Sequence, residues 1–334
     1  MFQYILKRIL LMVPTLIGIT IVTFLIIKLA PGDPSKQFSQ SGGQVAQKSQ
    51  QVASENIEEF RRIYGLDRPL HEQYFIWTKK LITFDFGRSI TYQGKKVSDL
   101  LLDRLSVTMQ MSIISVLLIY LISVPLGVLL SVKQNTTQER VITIFLFLLY
   151  SLPSFFVAIL CLQFFANNEY YSIFPTRGFQ SPDLPVDATT WVVIKDRLHH
   201  LFLPVIVYAI GSFAYLSMQM RGNMLEVLRQ DYVRTARAKG LQERVVIFKH
   251  AMRNSLIPIL TIFSSVLPML IGGSVIVEMV FQVDGMGKFG FEAILQRDYN
   301  VIMATSILSA VLTLIGILIS DILYVVVDPR ISFD

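Results

Sequence analysis

Long apolar segments dominate the chain and alternate with shorter polar ones. Six stretches of at least 19 residues contain no Asp, Glu, Lys or Arg: 9–27, 105–132, 141–168, 198–220, 254–277 and 299–320. A helix needs about 20 mostly apolar residues to cross the hydrocarbon core of a bilayer. The pattern therefore predicts an all-α membrane protein with six transmembrane helices, which places both termini on one side of the membrane.

Composition and charge agree with a membrane location. Hydrophobic residues make up 53% of the chain and charged residues only 16%, which is too apolar for an ordinary soluble domain. With the N-terminus in the cytoplasm, thirteen basic residues near the span ends lie inside and five lie outside. Since basic residues collect in cytoplasmic loops, we expect both termini and the 221–257 loop to be cytoplasmic.

The predicted spans divide the chain into three regions. Residues 1–30 form an N-terminal transmembrane helix, 31–104 an extracytoplasmic segment, and 105–334 a five-helix core that contains the 221–257 loop. Eleven of the twenty residues in 35–54 are Ser or Gln, which predicts a flexible loop. Apolar residues then recur at helical spacing, first in 57–64 and again in 74–81, which predicts a small helical cap on the outer face.

Motifs of enzyme active sites are missing from the sequence. It contains no G-x-x-x-x-G-K-[ST] phosphate loop, no G-x-G-x-x-G, no H-E-x-x-H and no G-x-S-x-G. The single Cys161 excludes an internal disulfide, and the adjacent His199 and His200 point about 100° apart on a helix, which disfavours a shared metal. Glu278 and Asp321 lie near the predicted membrane interfaces, where we expect structural roles for both. The chain should therefore not hydrolyse ATP by itself.

The charged and basic loop 221–257 has four possible interpretations. It could bind nucleic acid, lie as a helix on anionic lipid, or be a merely solvated loop that obeys the charge bias of cytoplasmic segments. The fourth interpretation is a docking element for a cytoplasmic partner. The pattern favours docking, because apolar residues recur on one helical stripe and follow a glycine that can end the preceding helix. The stripe consists of Leu241, Val245, Phe248, Met252 and Leu256.

The segment TARAKGL at 235–241 is followed by a basic-apolar helix and RNSLIP. This arrangement resembles the cytoplasmic "EAA" loop of ABC importer permeases, in the form carried by the oligopeptide/dipeptide/nickel permease family. The long outer segment is similar to the first of the two permease subunits. Further landmarks in the family's order are KLAPGDP at 28–34, YGLDRPL at 64–70, FDFGRSI at 84–90, SLPSFF at 151–156, GGSVIVE at 272–278, RDYNVI at 297–302 and VDPR at 327–330.

The loop departs from the general pattern of ABC permeases at two places. Arg234, Thr235 and Ala236 stand where that pattern has Glu-Ala-Ala, and Arg253 stands where it ends in proline. Both departures resemble the peptide branch of the family. The Ser/Gln-rich stretch at 35–54 is longer than is typical of it.

The resemblance implies a multi-pass subunit of a bacterial inner membrane that forms half of a translocation pathway and works by alternating access. It implies four kinds of partner: a second homologous permease, two ABC ATPase subunits, an extracytoplasmic solute-binding protein and the lipid bilayer, with no nucleic acid. ATP and magnesium would bind the ATPases, and this chain would hold no catalytic residue, cofactor or metal. The coupling loop would comprise Asp231, Arg234, Thr235, Ala236, Arg237, Gly240, Leu241, Gln242, Glu243, Arg244, Val245 and Phe248.

The pathway and the cargo are less specified by these motifs. Candidate pathway residues are the small or polar ones of the fourth and fifth spans: Ser212, Ser217, Gln219, Thr261, Ser264, Ser265, Gly272 and Ser274. Peptides are the expected substrate, with nickel, a metal chelate or another small solute as the alternative. A self-contained channel or an intramembrane enzyme is the rival class of function.

Overall fold

Helices make up most of the described structure. The computed structural model describes residues 2–29, 67–92 and 94–327. The helices are α1 (Phe2–Leu29), α2 (Leu70–Ile82), α3 (Val97–Val132), α4 (Thr137–Ser151), α5 (Ser154–Phe165), α6 (Thr190–Leu228), α7 (Asp231–Ala238), α8 (Glu243–Val245), which continues into a π-helical turn (Val246–Ala251), α9 (Met252–Gly272), α10 (Val275–Val280), α11 (Met286–Leu295) and α12 (Tyr299–Val327).

Four helices of the described chain are long and apolar enough to cross a membrane. They are α1, α3, α6 and α12, and the bent pair α4 and α5 makes five if it counts as one span. These helices coincide with five of the six predicted spans. The remaining predicted span forms α9, which has 21 residues. The structure thus confirms an all-α membrane protein, while the count of six spans and the side of the termini stay predictions.

The third predicted span, 141–168, consists of two helices, α4 and α5, instead of one. The axes of α4 and α5 differ by 97°. Pro153 explains the bend, because proline disfavours helical backbone at the preceding residue and has no N–H to continue the ladder. Leu152 accordingly has extended backbone, with φ −78° and ψ 128°.

The fifth predicted span, 254–277, also ends earlier than expected. Gly273 has φ +65° and closes α9, and Ser274 then begins the short α10 by accepting a hydrogen bond of 3.4 Å from the Val277 N–H. A left-handed backbone favours glycine at such a stop.

The chain divides into two compact units. The first comprises 1–104 and 289–311, and the second 105–288 and 312–334. In the first unit, α2 packs on α1 through Phe24, Tyr74 and Trp77. The observed α2 contains the predicted apolar residues 74–81 of the helical cap, whereas the predicted helix at 57–64 and the Ser/Gln-rich loop lie outside the described residues.

A buried carboxylate organises the rest of the first unit. Asp298 is fully buried, and its Oδ2 accepts hydrogen bonds from the Ser89 hydroxyl (2.5 Å) and from the N–H groups of Ile90 (2.9 Å) and Thr91 (3.0 Å). Its Oδ1 accepts from the Val301 N–H at the start of α12. Two of the sequence landmarks, FDFGRSI and RDYNVI, therefore meet at one side chain.

In the second unit, α6 packs against α4, α5 and α9 to form the main apolar core. Gly127 permits a close crossing of α3 and α6, because a Cβ there would lie 2.7 Å from the Ser217 carbonyl oxygen and 2.5 Å from the Met220 Cβ. Helices that cross this closely in membranes use small residues at the contact.

A second buried carboxylate, Glu278, fixes the start of α11. Glu278 is fully buried and accepts hydrogen bonds from the Lys288 N–H (2.7 Å) and the Thr108 hydroxyl (3.2 Å). Thr108 in turn accepts from the Met286 N–H at 2.7 Å. A carboxylate at a helix N-terminus satisfies free N–H groups and complements the helix dipole. This position gives Glu278 the structural role expected from the sequence.

Candidate functional site

The 221–257 loop folds into a bent finger in which α7 is followed by a tight turn and α8. The Gly240 N–H donates to the Arg237 carbonyl (2.9 Å), and the Leu241 N–H donates to the Ala236 carbonyl (3.4 Å). This pair of bonds defines a Schellman motif, which requires left-handed backbone at its glycine. Gly240 has φ +76°, so the structure places the glycine turn where the sequence predicts it.

An ion pair spans the turn. The Arg237 guanidinium donates hydrogen bonds of 2.6 and 3.1 Å to the two carboxylate oxygens of Glu243. The hydrogen bond to Arg237 lowers the pKa of the Glu243 carboxyl below its usual range, and the same contact raises the pKa of Arg237. Bidentate geometry holds the two helices at a defined angle.

A small apolar core supports the finger from within. Val233, Ala236 and Val246 are buried against one another, and Val227 and Leu228 from the end of α6 pack on them. These contacts connect α6, α7 and the π-helical turn. The loop is therefore a shaped element, in contrast to the solvated loop that was the simplest alternative.

Three apolar side chains that follow the turn are exposed. Leu241, Val245 and Phe248 are 41%, 36% and 53% exposed, and we name these three residues the docking face. Met252 and Leu256, which continue the predicted stripe, pack instead on the core of the second unit. The stripe thus divides into an exposed half on the finger and a half that anchors it.

The finger continues without a break into the helices behind it. The π-helical turn Val246–Ala251 joins α8 directly to α9 and contacts α6 and α7 as well. A single π turn inside a helix is frequent at functional sites. Movement of the docking face would therefore be transmitted to α9 through continuous backbone.

A nearly buried ion pair anchors α6 close to the finger. The Arg221 guanidinium contacts the Glu139 carboxylate of α4 at 2.8 Å, and their side chains are only 22% and 10% exposed. Glu139 also accepts from the Asn135 N–H. The pair therefore joins α4 to α6 shortly before the finger begins.

Most of the predicted coupling residues are accessible. Ala236 is buried, and the other eleven are exposed: Asp231, Arg234, Thr235, Arg237, Gly240, Leu241, Gln242, Glu243, Arg244, Val245 and Phe248. Sequence reasoning missed Val233, Val246 and Glu139. Val233 and Ala236 are spaced on one face of α7, which could have indicated that both belong to the small apolar core of the finger. Nothing in the sequence pairs Glu139 with Arg221.

The candidate pathway residues are placed differently from one another. Ser217 is fully buried at the crossing of α3 and α6, Ser212 is partly buried, and Gln219 is exposed. Gly272 is the last residue of α9, and Ser274 caps α10. The side chains of Thr261, Ser264 and Ser265 lie outside the described ones.

Potential metal ligands do not cluster in the described part of the chain. Among residues 2–29, 67–92 and 94–327, no three His, Cys, Asp or Glu side chains lie close enough to hold a metal ion. His199 and His200 instead contact separate backbone carbonyls, those of Ile173 (2.8 Å) and Asp196 (2.9 Å).

Comparison with known proteins identifies the family. Residues 123–333 match the family of binding-protein-dependent transport system inner membrane components, and residues 1–112 match the N-terminal family of the same membrane components. The oligopeptide transport system permease protein AppB of Bacillus subtilis is 40% identical over 333 residues, covering 100% of both chains.

Two other relatives share the full length. The dipeptide transport system permease protein DppB of Bacillus subtilis is 34% identical and covers 99% of this chain and 98% of its own. The inner membrane ABC transporter permease protein YejB of Escherichia coli O157:H7 is 34% identical and covers 100% of both. The chain therefore belongs to the binding-protein-dependent inner-membrane permeases of the ABC peptide importers.

Proposed function

We propose that this permease forms half of a peptide pathway and that ATP hydrolysis on separate ATPase subunits drives it through the finger at 221–257. The observation that carries the proposal is the docking face of Leu241, Val245 and Phe248. Three apolar side chains are exposed there on a bend that an ion pair and a small core hold in one shape. An amphipathic helix of this kind suits a groove in a partner protein.

The proposed mechanism is a rigid-body transition between two states of the pathway. Closure of the ATPases around nucleotide would move the finger, and the continuous backbone from α8 to α9 would move the helices behind it. Nucleotide then shifts the equilibrium between inward-facing and outward-facing states, because it binds one arrangement of the ATPases more tightly. Gln219, exposed on α6, is the best-placed described candidate to contact cargo.

Polar residues of the finger would set its register in the ATPase cleft. Arg234 contacts the Asp231 carboxylate at 3.5 Å, and Arg244 is exposed beside Glu243 in the sequence, so the finger carries three exposed arginines and two exposed carboxylates. We expect acidic groups on the ATPase surface to face the arginines, since complementary charge fixes orientation and accelerates association.

The proposed assembly contains a second homologous permease, two ATPases and an extracytoplasmic solute-binding protein. The family's dependence on a binding protein supports the last of these. Peptides are the proposed cargo, because two of the full-length relatives are an oligopeptide and a dipeptide permease. Nickel or a metal chelate is the alternative cargo.

Reconstitution of the purified assembly into proteoliposomes tests the proposal. We expect a tagged chain to copurify with a second permease and ATPases, and labelled peptide to accumulate only when ATP and the binding protein are both supplied. Accumulation of labelled nickel chelate in place of peptide would identify the metal chelate as the cargo. Transport by the chain alone, without ATPase subunits, would favour a self-contained channel and contradict the proposal.

A further inference from the structure

The first unit contains a cleft of about 620 Å³ that combines an apolar floor with a cationic mouth. Phe24, Trp77 and Met303 form the floor, together with Ile76, which is 38% exposed. Lys28, Lys80, Arg88 and Lys96 line the mouth, and Asp85 is the acidic residue among the lining side chains. The lining of the cleft thus carries four cationic side chains and one carboxylate next to exposed apolar surface. Such a lining suits an amphipathic anion.

The depth of the cleft along α1 indicates where such a ligand would come from. Tyr74 of α2 shares a hydrogen bond of 2.9 Å with Thr20, and Trp77 stacks on Phe24 at 6.0 Å. Phe24, the α1 residue on the floor of the cleft, lies five residues before the end of α1 at Leu29, which is about 8 Å at 1.5 Å per residue. Because the apolar core of a bilayer is ~30 Å thick, the contact between the two helices lies within one leaflet.

The mouth of the cleft lies at the height expected for lipid head groups. Lys28 occupies the last turn of α1, with its ammonium 5.8 Å from the Phe24 ring and 5.5 Å from the Tyr299 ring. Tyr299 is the first residue of α12. Lysine and aromatic residues at the ends of spans mark the interface between hydrocarbon and water.

The exposed face of α2 supports contact with lipid. Phe75 and Ile82 are 68% and 72% exposed, and Phe84, which lines the cleft, is 77% exposed. Lys79 and Lys80 occupy the last turn of the same helix. Apolar residues beside lysines are typical of helices that lie in the interface of an anionic membrane.

We propose that this cleft binds an anionic phospholipid of the leaflet nearest Leu29. The phosphate lies among Lys80, Arg88 and Lys96, and an acyl chain follows Ile76 and Trp77 toward Phe24. Arg88 is held in position by a hydrogen bond of 2.7 Å to the Gly94 carbonyl. A peptide carboxylate shares the charge, but the floor of the cleft reaches the depth of hydrocarbon, where a lipid chain lies and a peptide backbone does not.

Photo-crosslinking tests the proposal with the full chain in nanodiscs. The probes are phosphatidylglycerol and phosphatidylcholine, each with a diazirine in one acyl chain, and mass spectrometry locates the adducts. We expect adducts on residues 70–88 in higher yield with phosphatidylglycerol. Equal yields from the two lipids, or no adduct on 70–88 from either, would overturn the proposal. This test uses the unsubstituted chain, so it does not depend on the folding of a variant.

Charge variants and a soluble competitor sharpen the test. Lys80→Gln with Arg88→Gln should lower the affinity for phosphatidylglycerol about 25-fold, at roughly fivefold per removed charge. The matched control is Lys195→Gln, which removes an exposed lysine of α6 and should leave the yield unchanged. An equal loss of adduct yield in the control would show a general charge effect. Displacement of the lipid probe by inorganic phosphate would show a site for free phosphate. Either result contradicts a lipid site.

Discussion

Arg237 and Glu243 face each other across the Gly240 turn, with hydrogen bonds of 2.6 and 3.1 Å joining their side chains. Both side chains are about half exposed, so the pair contributes little to global stability, roughly 0.2–1 kcal/mol. Its importance lies in joining α7 to α8 across the turn. The docking face begins directly after that turn, at Leu241.

Exchange of the two charges tests this relationship. We expect Arg237→Glu alone to reduce ATP-driven peptide uptake, because two carboxylates would then repel each other across the turn. The exchange Arg237→Glu with Glu243→Arg should restore a large part of the uptake, while the melting temperature changes little in either variant. The contrary result is a double variant as impaired as the single one, which would mean that Arg237 acts through contacts other than Glu243.

Substitution of Gly240 separates backbone conformation from packing. A Cβ at Gly240 meets no described atom within 4 Å, and the backbone there has φ +76°, so any penalty comes from the conformation alone. We expect Gly240→Ala to cost about 1 kcal/mol in the bend and Gly240→Val more, since β-branched residues resist left-handed backbone. Gly240→Asn is the matched control, because asparagine tolerates this conformation.

The readout for Gly240 is the ratio of peptide transported to ATP hydrolysed in proteoliposomes. We expect this ratio to fall in the order Asn, Ala, Val while the protein still inserts in the membrane. Unchanged uptake in Gly240→Val would show that the bend is not needed for coupling.

Substitutions of two glycines in α11 test the packing around Glu278. A Cβ at Gly287 would lie 2.8 Å from the Val275 N and 3.1 Å from the Glu278 Oε2, whereas a Cβ at Gly290 meets no described atom within 4 Å. We expect Gly287→Ala to destabilise the protein by about 1–3 kcal/mol through overpacking. Gly290→Ala should be neutral or stabilising, because alanine is the better helix former. Thermal unfolding in detergent measures both, and equal effects would contradict the packing described around Glu278.

The hydroxyl of Ser89 should stabilise the first unit through Asp298. Ser89→Ala removes one of the donors to a fully buried carboxylate, which should cost about 1–3 kcal/mol. Ser98→Ala is the control, because its hydroxyl donates to the exposed Asp99 at 3.1 Å and should change stability by less than about 0.5 kcal/mol. Limited proteolysis of residues 67–104 would measure the loss of stability. Equal protection in the two variants would argue against a structural role for the Ser89–Asp298 hydrogen bond.

Local features of the fold could be read from the sequence with good accuracy. Charge-free runs predicted the long helices because a spanning helix must satisfy its own backbone in hydrocarbon. Gly240 could be placed in a turn because left-handed backbone leaves few alternatives to glycine. The bend at Pro153 could also have been predicted from the same reasoning, since SLP is a local signal for extended backbone.

Contacts between distant residues could not be predicted in this way. Ser89 and Asp298 are 209 positions apart, and no periodicity in either segment connects them. For the same reason, the division of the apolar stripe after Phe248 was not predictable, because the burial of Met252 and Leu256 depends on where α6 passes. Helical spacing defines a face, but neighbouring elements decide whether that face is covered.

Disulfide crosslinking tests most directly whether the docking face enters a cleft of the ATPase. The sequence has one cysteine, so Cys161→Ala provides a cysteine-free background in which Val245→Cys is paired with a cysteine in the ATPase cleft. Val186→Cys, fully exposed in a predicted outer loop, is the control. We expect a crosslink from position 245, with a yield that nucleotide alters, and none from position 186. An assembly that still transports peptide but forms no crosslink from position 245 would contradict entry of the docking face into the ATPase cleft.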